Sequence, residues 1–299
     1  MRALILSLAA LAVLPAPALA APARAPAANR VFASDRISVE VKGTGPDVVL
    51  IPGLSSSPRV WDSTVAALPG YRYHLVRVAG FDGAKPGANA SGPVVAPVAE
   101  EIARYIKEAG LKRPAIVGHS LGGTWAMMVG ARHPELVSKV MVVDMMPFVG
   151  AMFAGPTATA ATLTPMAEQV RTGIATSTGE ARRAKAEQTI ASMIKTESAR
   201  PAAVQQSLDS DPAVSGQAMY DLILADLRPE LARIKVPMTV LWALPPAAPV
   251  TQAQMEQFYK LSYAGAPQAR VKQIPDSYHF IMVDQPKAFQ AELKAFLGE

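Results

Sequence analysis

The chain has 299 residues, half of them hydrophobic, with 29 Lys and Arg against 24 Asp and Glu for a formal charge of +5. That length accommodates one large domain with an insertion, or two small ones, and aromatics at 6% leave a core of aliphatic side chains and methionine. The absence of cysteine excludes disulfides and cysteine-linked lipids, and the one dense basic run, Arg182-Arg183-Ala184-Lys185, has no alternating aromatics, so it reads as a solvated helix face and not as a nucleic-acid surface.

Met1-Arg2 forms a minimal positive region, Ala3 to Val13 an apolar core, and Ala18-Leu19-Ala20 a small-residue cleavage site. The apolar core is shorter than the roughly 20 residues that span a bilayer. Residues 1–20 are therefore expected to be a signal peptide, leaving no stable membrane anchor once cleaved, and residues 21–35 a Pro/Ala-rich linker. Export of a cysteine-free chain fits a bacterial periplasm or secretion.

From residue 36 strand-like and helix-like segments alternate. Arg36–Lys42 has period two; Asp47–Ile51 and Tyr73–Val78 are short apolar runs; Pro93–Ala109 has helical spacing and stops at Gly110. Ala115–Val117, Val140–Val143 and Met238–Trp242 are continuous valine-rich runs, as in parallel strands buried on both faces. Val271–Ile274 is a last strand and Pro286–Leu297 a last amphipathic helix. The pattern predicts an α/β fold with a mostly parallel central sheet and helices on both faces, its core in 36–146 and 233–299. Between 147 and 232 helical segments (Thr164–Ala175, Glu180–Lys195, Pro201–Leu208, Val214–Leu227) follow one another without strands, which predicts a helical lid over the carboxyl ends of the strands.

Gly118-His119-Ser120-Leu121-Gly122 is a G-x-S-x-G motif set between a strand and a helix. A sharp turn there would expose the Ser120 hydroxyl above the sheet, and the helix N-terminus beneath it favours developing negative charge. A serine needs a base, and four histidines are available. His74 lies in an early strand, His119 adjoins the serine on the turn, and His133 sits at a helix end. His279, in the loop after the last strand, remains as the candidate.

Together these segments resemble the α/β-hydrolase fold family, in its lid-bearing esterase, haloperoxidase and dehalogenase-like branch, over essentially all of residues 36–298. Leu50-Ile51-Pro52-Gly53-Leu54 is similar to the oxyanion loop, Val78–Gly83 to the glycine turn after the next strand, and Tyr278-His279-Phe280 to the histidine loop. The resemblance implies an oxyanion hole from the backbone N–H groups of Leu54 and Leu121. Many relatives carry their acid after the strand matching Met238–Trp242, but Ala243–Val250 here contains no carboxylate. Some relatives carry it one strand earlier, which points to Asp144 and keeps the chain order Ser, Asp, His. Asp276 is the nearest rival in sequence; Asp221 and Asp226 fall in the insertion, and Asp284 reads as a surface residue.

The expected function is a serine hydrolase of carboxylic esters acting through a covalent acyl-enzyme on a small-molecule substrate. A cofactor-free perhydrolase would use the same residues, and a non-catalytic small-molecule-binding protein on a degraded scaffold is the reading from another class. Met145, Met146 and Phe148 follow a strand end and are expected to line an apolar substrate pocket. The histidines lack metal-ligand spacing, and neither a dinucleotide fingerprint nor a P-loop is present, so no cofactor and no metal is expected.

Overall fold

The computed structural model describes residues 32–155, 157–246 and 248–298; the expected signal peptide and the linker up to residue 31 lie outside them. The strands are β1 (Ile37–Gly43), β2 (Asp47–Ile51), β3 (Arg72–Val78), β4 (Ala115–His119), β5 (Lys139–Val143), β6 (Met238–Trp242) and β7 (Ala269–Gln273). Helices α1 (Asp62–Ala67), α2 (Val95–Glu108) and α3 (Leu121–Arg132) connect the first five. Helices α4 (Ala151–Ala154), α5 (Ala160–Ala175), α6 (Gly179–Met193), α7 (Arg200–Asp209) and α8 (Pro212–Leu224) fill the segment between β5 and β6. Helices α9 (Gln252–Ser262), α10 (Ile281–Asp284) and α11 (Pro286–Gly298) complete the chain.

One sheet runs in the order β1-β3-β2-β4-β5-β6-β7, with β1 antiparallel to β3 and every other adjacent pair parallel. Side chains alternate between its faces with the strand period. Val49 and Ile51 of β2 join a core that includes α2, α3 and Tyr259 of α9. Their neighbours Val48 and Leu50 join the opposite core, with Phe289, Leu293 and Phe296 of α11. Those three recur at the i, i+4, i+7 spacing that keeps one helix stripe on the sheet. All five β4 residues are buried, and burial of Ile116 or Val117 contributes about 2 kcal/mol each.

The segment between β5 and β6 is tied down at several points. Asp221 of α8 accepts the Val94 and Val95 N–H groups at 2.6 and 3.0 Å. It supplies the N-terminal carboxylate that α2 lacks locally, since Val94 at its cap position has no side-chain oxygen to offer. Gly80, in the turn after β3, has φ +93°, and a Cβ there would lie 2.8 Å from the Val214 side chain. The glycine lets α8 close onto the turn, where the Asp211 N–H donates to the Gly80 carbonyl at 2.7 Å.

Candidate active site

Ser120 stands between β4 and α3 with φ 54° and ψ −125°. Holding a non-glycine residue there costs about 1–3 kcal/mol, and the surroundings impose it. The Ser120 N–H donates to the Val143 carbonyl at 2.9 Å, while its own carbonyl accepts from Gly123 at 2.7 Å. A Cβ on Gly118 would stand 2.0 Å from the Gly122 carbonyl oxygen, and one on Gly122 2.3 Å from that of Ile51. Both motif glycines are thus fixed by backbone contact, which explains the spacing physically.

His279 and Asp144 meet across 135 residues of sequence. The Nδ1 of His279 lies 2.7 Å from Asp144 Oδ2, with side chains 21% and 12% exposed. Asp144 follows β5 at φ 51°, and its Oδ1 accepts the Ala243 N–H at 2.9 Å and the Tyr259 hydroxyl at 3.1 Å. The stretch after β6 therefore contributes a backbone donor to the acid in place of a carboxylate. Burial, with Asp144 adding to it, pushes the Tyr259 phenol well above its usual 10, so it remains a donor. Ala243 and Tyr259 were not legible beforehand, because a backbone N–H has no sequence signature and Tyr259 arrives from α9.

None of the rival acids bonds His279 among the described residues. Asp276 bonds Lys195 and Gln285, Asp226 bonds Arg228, and Asp221 caps α2. Asp284 is more than a surface residue: it accepts the backbone N–H groups of Lys195, Thr196 and Tyr278 at 3.0, 2.9 and 2.9 Å. It links the end of α6 to the histidine loop. His74 is bonded at both ring nitrogens, by Tyr105 and Asp47, and His133 by Glu100.

His119 is closer to the centre than its place on the turn implied. Its ring centroid is 4.7 Å from that of His279, and its Nε2 lies 3.0 Å from the His279 carbonyl oxygen. A carbonyl only accepts, so Nε2 carries the hydrogen. Burial, reinforced by the neighbouring His279, holds the His119 pKa well below 6.5, and the ring stays neutral. It supports the main chain of His279 and is unsuited to be the base.

Ser120, His279, His119 and Leu54 line one cavity of about 340 Å³ beneath α5–α8. Among the described residues the Leu54 and Leu121 N–H groups donate to no internal acceptor, and Leu121 opens α3, where first-turn donors point outward. The expected pocket residues require correction. Met145, Met146 and Phe148 do not line the cavity. The chain turns at Asp144 and carries them under the insertion, so Met145 and Met146 enter the core beside α3 and Phe148 packs with Leu163, Ala167 and Ile223. The apolar lining comes instead from Ile190, Met193, Met219, Leu222 and Phe280. No group of three or more His, Asp or Glu is placed to hold a metal ion among the described residues.

A family model described as the alpha/beta hydrolase family matches residues 48–292. The pimeloyl-[acyl-carrier protein] methyl ester esterase of Vibrio atlanticus is 36% identical over 115 residues, 38% of this chain and 42% of that protein; the match thus spans less than half of the relative's length. An enol-lactonase from Burkholderia xenovorans superposes with a TM-score of 0.70 at 20% identity, over 88% of this chain and 96% of its own. An esterase from Exiguobacterium antarcticum gives 0.71 at 21% identity, with coverages of 88% and 96%.

Proposed function

The chain belongs to the alpha/beta hydrolase family, and from that premise we propose that it is a serine hydrolase cleaving carboxylic esters with an apolar acyl or alcohol group. Ser120 Oγ attacks the ester carbonyl while His279 takes its proton on Nε2. The carbonyl oxygen, now negative, receives the N–H groups of Leu54 and Leu121, whose fixed dipoles need no reorganisation as charge develops. Asp144 keeps the hydrogen of His279 on Nδ1, leaves Nε2 basic and stabilises the imidazolium. Collapse breaks the C–O bond, and His279 returns the proton to the departing alcohol. Water then repeats the sequence on the acyl-enzyme and releases the acid.

The observation that carries this reading is the 2.7 Å contact between His279 Nδ1 and Asp144, made by a histidine on the same cavity as Ser120. The ester and lactone activities named for the relatives point the same way. In this reading residues 147–232 act as the lid that keeps bulk water from the acyl-enzyme, and residues 1–20 direct export. A fluorophosphonate probe should label the protein once, on the peptide containing Ser120, and Ser120→Ala should abolish labelling and ester turnover while the fold persists. Labelling at another residue, or unchanged turnover in the variant, would sink the reading. Export is tested by intact mass: a mature species from a bacterial host should begin after Ala20, and one retaining Met1 overturns it.

A further inference from the structure

The lining contributed by α6 is polarised. Arg182, Lys185, Ala186, Thr189, Ile190 and Met193 all face the cavity, at the i, i+3, i+4, i+7, i+8, i+11 spacing of a single helix stripe. Its C-terminal end is apolar and touches the reaction centre, because the Met193 carbonyl accepts the Phe280 N–H at 3.2 Å, next to His279. Its N-terminal end is cationic. Lys185 lies eight residues upstream of Met193 and Arg182 eleven, which at 1.5 Å per residue is about 12 and 16 Å along the helix axis.

Among the described residues neither cation has a carboxylate partner. The Arg182 Nη2 donates to the carbonyl oxygens of Ser207 and Ser210 at 3.0 and 2.6 Å, which fix the guanidinium without neutralising it. Lys185 is exposed and has no ion-pair partner among the described residues. Among the described residues no Asp or Glu lines the cavity. A cavity with one apolar end at the nucleophile and two uncompensated cations at the other matches a molecule of the same polarity. We propose that the preferred substrate is a half-ester: an ester whose acyl chain ends, at the far side from the scissile bond, in a carboxylate read by Lys185 and Arg182. The proposal rests on the esterase reading and adds to it the charge of the distal group. Arg182, with Nη2 held by the two carbonyls, keeps its Nε and Nη1 donors for single charge-assisted hydrogen bonds to a carboxylate, and Lys185 adds a mobile point charge.

The test compares monomethyl esters of dicarboxylic acids of increasing length with the matching dimethyl esters. The half-ester should be preferred in kcat/KM by about tenfold at low salt, at an intermediate chain length, and the preference should shrink as sodium chloride is raised. Lys185→Ala should lower the half-ester to diester ratio several-fold, through KM, as loss of uniform binding does. Lys185→Glu should lower it further and move the preference to the diester. Arg182→Gln also unties Ser207 and Ser210, so Lys185 carries the decisive variants. Equal turnover of both ester classes by the wild type, with Ser120 labelled, overturns the anion subsite and leaves the esterase reading standing. If no ester is turned over, that reading fails, and calorimetry still decides the subsite: a linear dicarboxylate monoester should bind the Ser120→Ala protein and bind it more weakly when Lys185→Glu is added. Equal binding by both proteins overturns the proposal.

Discussion

The sheet carries a His–Asp pair near each end, and the two are built for different work. Near the amino ends of β2 and β3, His74 is 3% exposed, with Asp47 Oδ1 2.9 Å from Nε2 and the Tyr105 hydroxyl 2.6 Å from Nδ1. Both ring nitrogens are occupied, and Arg72 closes the far side of Asp47. At the carboxyl ends, Asp144 holds only Nδ1 of His279, and the ring faces the cavity beside Ser120. In each pair a tyrosine completes the arrangement. Tyr105 sits on the histidine and closes it; Tyr259 sits on the acid and leaves the histidine open. The two pairs thus differ in which partner is capped.

Exchanging each acid breaks the comparison most sharply. Asp144→Asn removes the acceptor that fixes the His279 tautomer, and kcat should fall by about 10⁴ with the circular dichroism spectrum retained. Asp47→Asn should leave kcat within about threefold and act on stability instead, as surface-linked ionic networks do. A loss of less than tenfold for Asp144→Asn would move the acid elsewhere. Tyr105→Phe strips the buried His74 of one partner and should lower stability by about 1–3 kcal/mol in urea titration. Tyr259→Phe is milder, because Asp144 keeps the Ala243 N–H and His279: kcat should drop by about ten- to a hundredfold, on the order of one hydrogen bond to a charged group, and a fall as large as that of Asp144→Asn would make Tyr259 part of the proton relay.

Acid unfolding sharpens the contrast further. Burial holds His119 well below the ordinary 6.5, and it also lowers His74, with Asp47 opposing the shift in part. Both rings are therefore protonated more readily in the unfolded chain. Their contribution is complete above pH 6.5 and is lost as pH falls from there through the folded-state values, at up to about 1.4 kcal/mol per pH unit per group. The melting temperature should fall between pH 7 and 5, and His119→Gln, which keeps a donor for the His279 carbonyl, should flatten part of that slope. An unchanged slope in His119→Gln assigns the acid sensitivity to His74 alone.

The strands were legible because valine-rich runs such as Val140–Val143 can satisfy both faces of a parallel sheet in few other ways. Ser120 was legible because a backbone crowded against Gly118 and Gly122 leaves a mark on composition. His279 emerged by elimination among four histidines, and Asp144 by resemblance and chain order. The pocket was misread because methionines packed in a core and methionines facing a cavity have the same spacing: Met145 and Met193 differ only in where the backbone carries them. The His119 contact was hidden for a related reason, since it depends on a loop returning from 160 residues away.

The three backbone donors gathered by Asp284 have a mechanical consequence. Lys195 and Thr196 lie just after α6, Tyr278 immediately precedes His279, and one carboxylate holds all three. The downstream end of α6 is a fixed hinge pin, so swinging that end outward would pull the imidazole away from Ser120. Amide exchange at Thr196 and Tyr278 should then rise and fall as one signal, and in Asp284→Asn both should quicken together, because a single carboxylate couples the segment after α6 to the loop that carries His279.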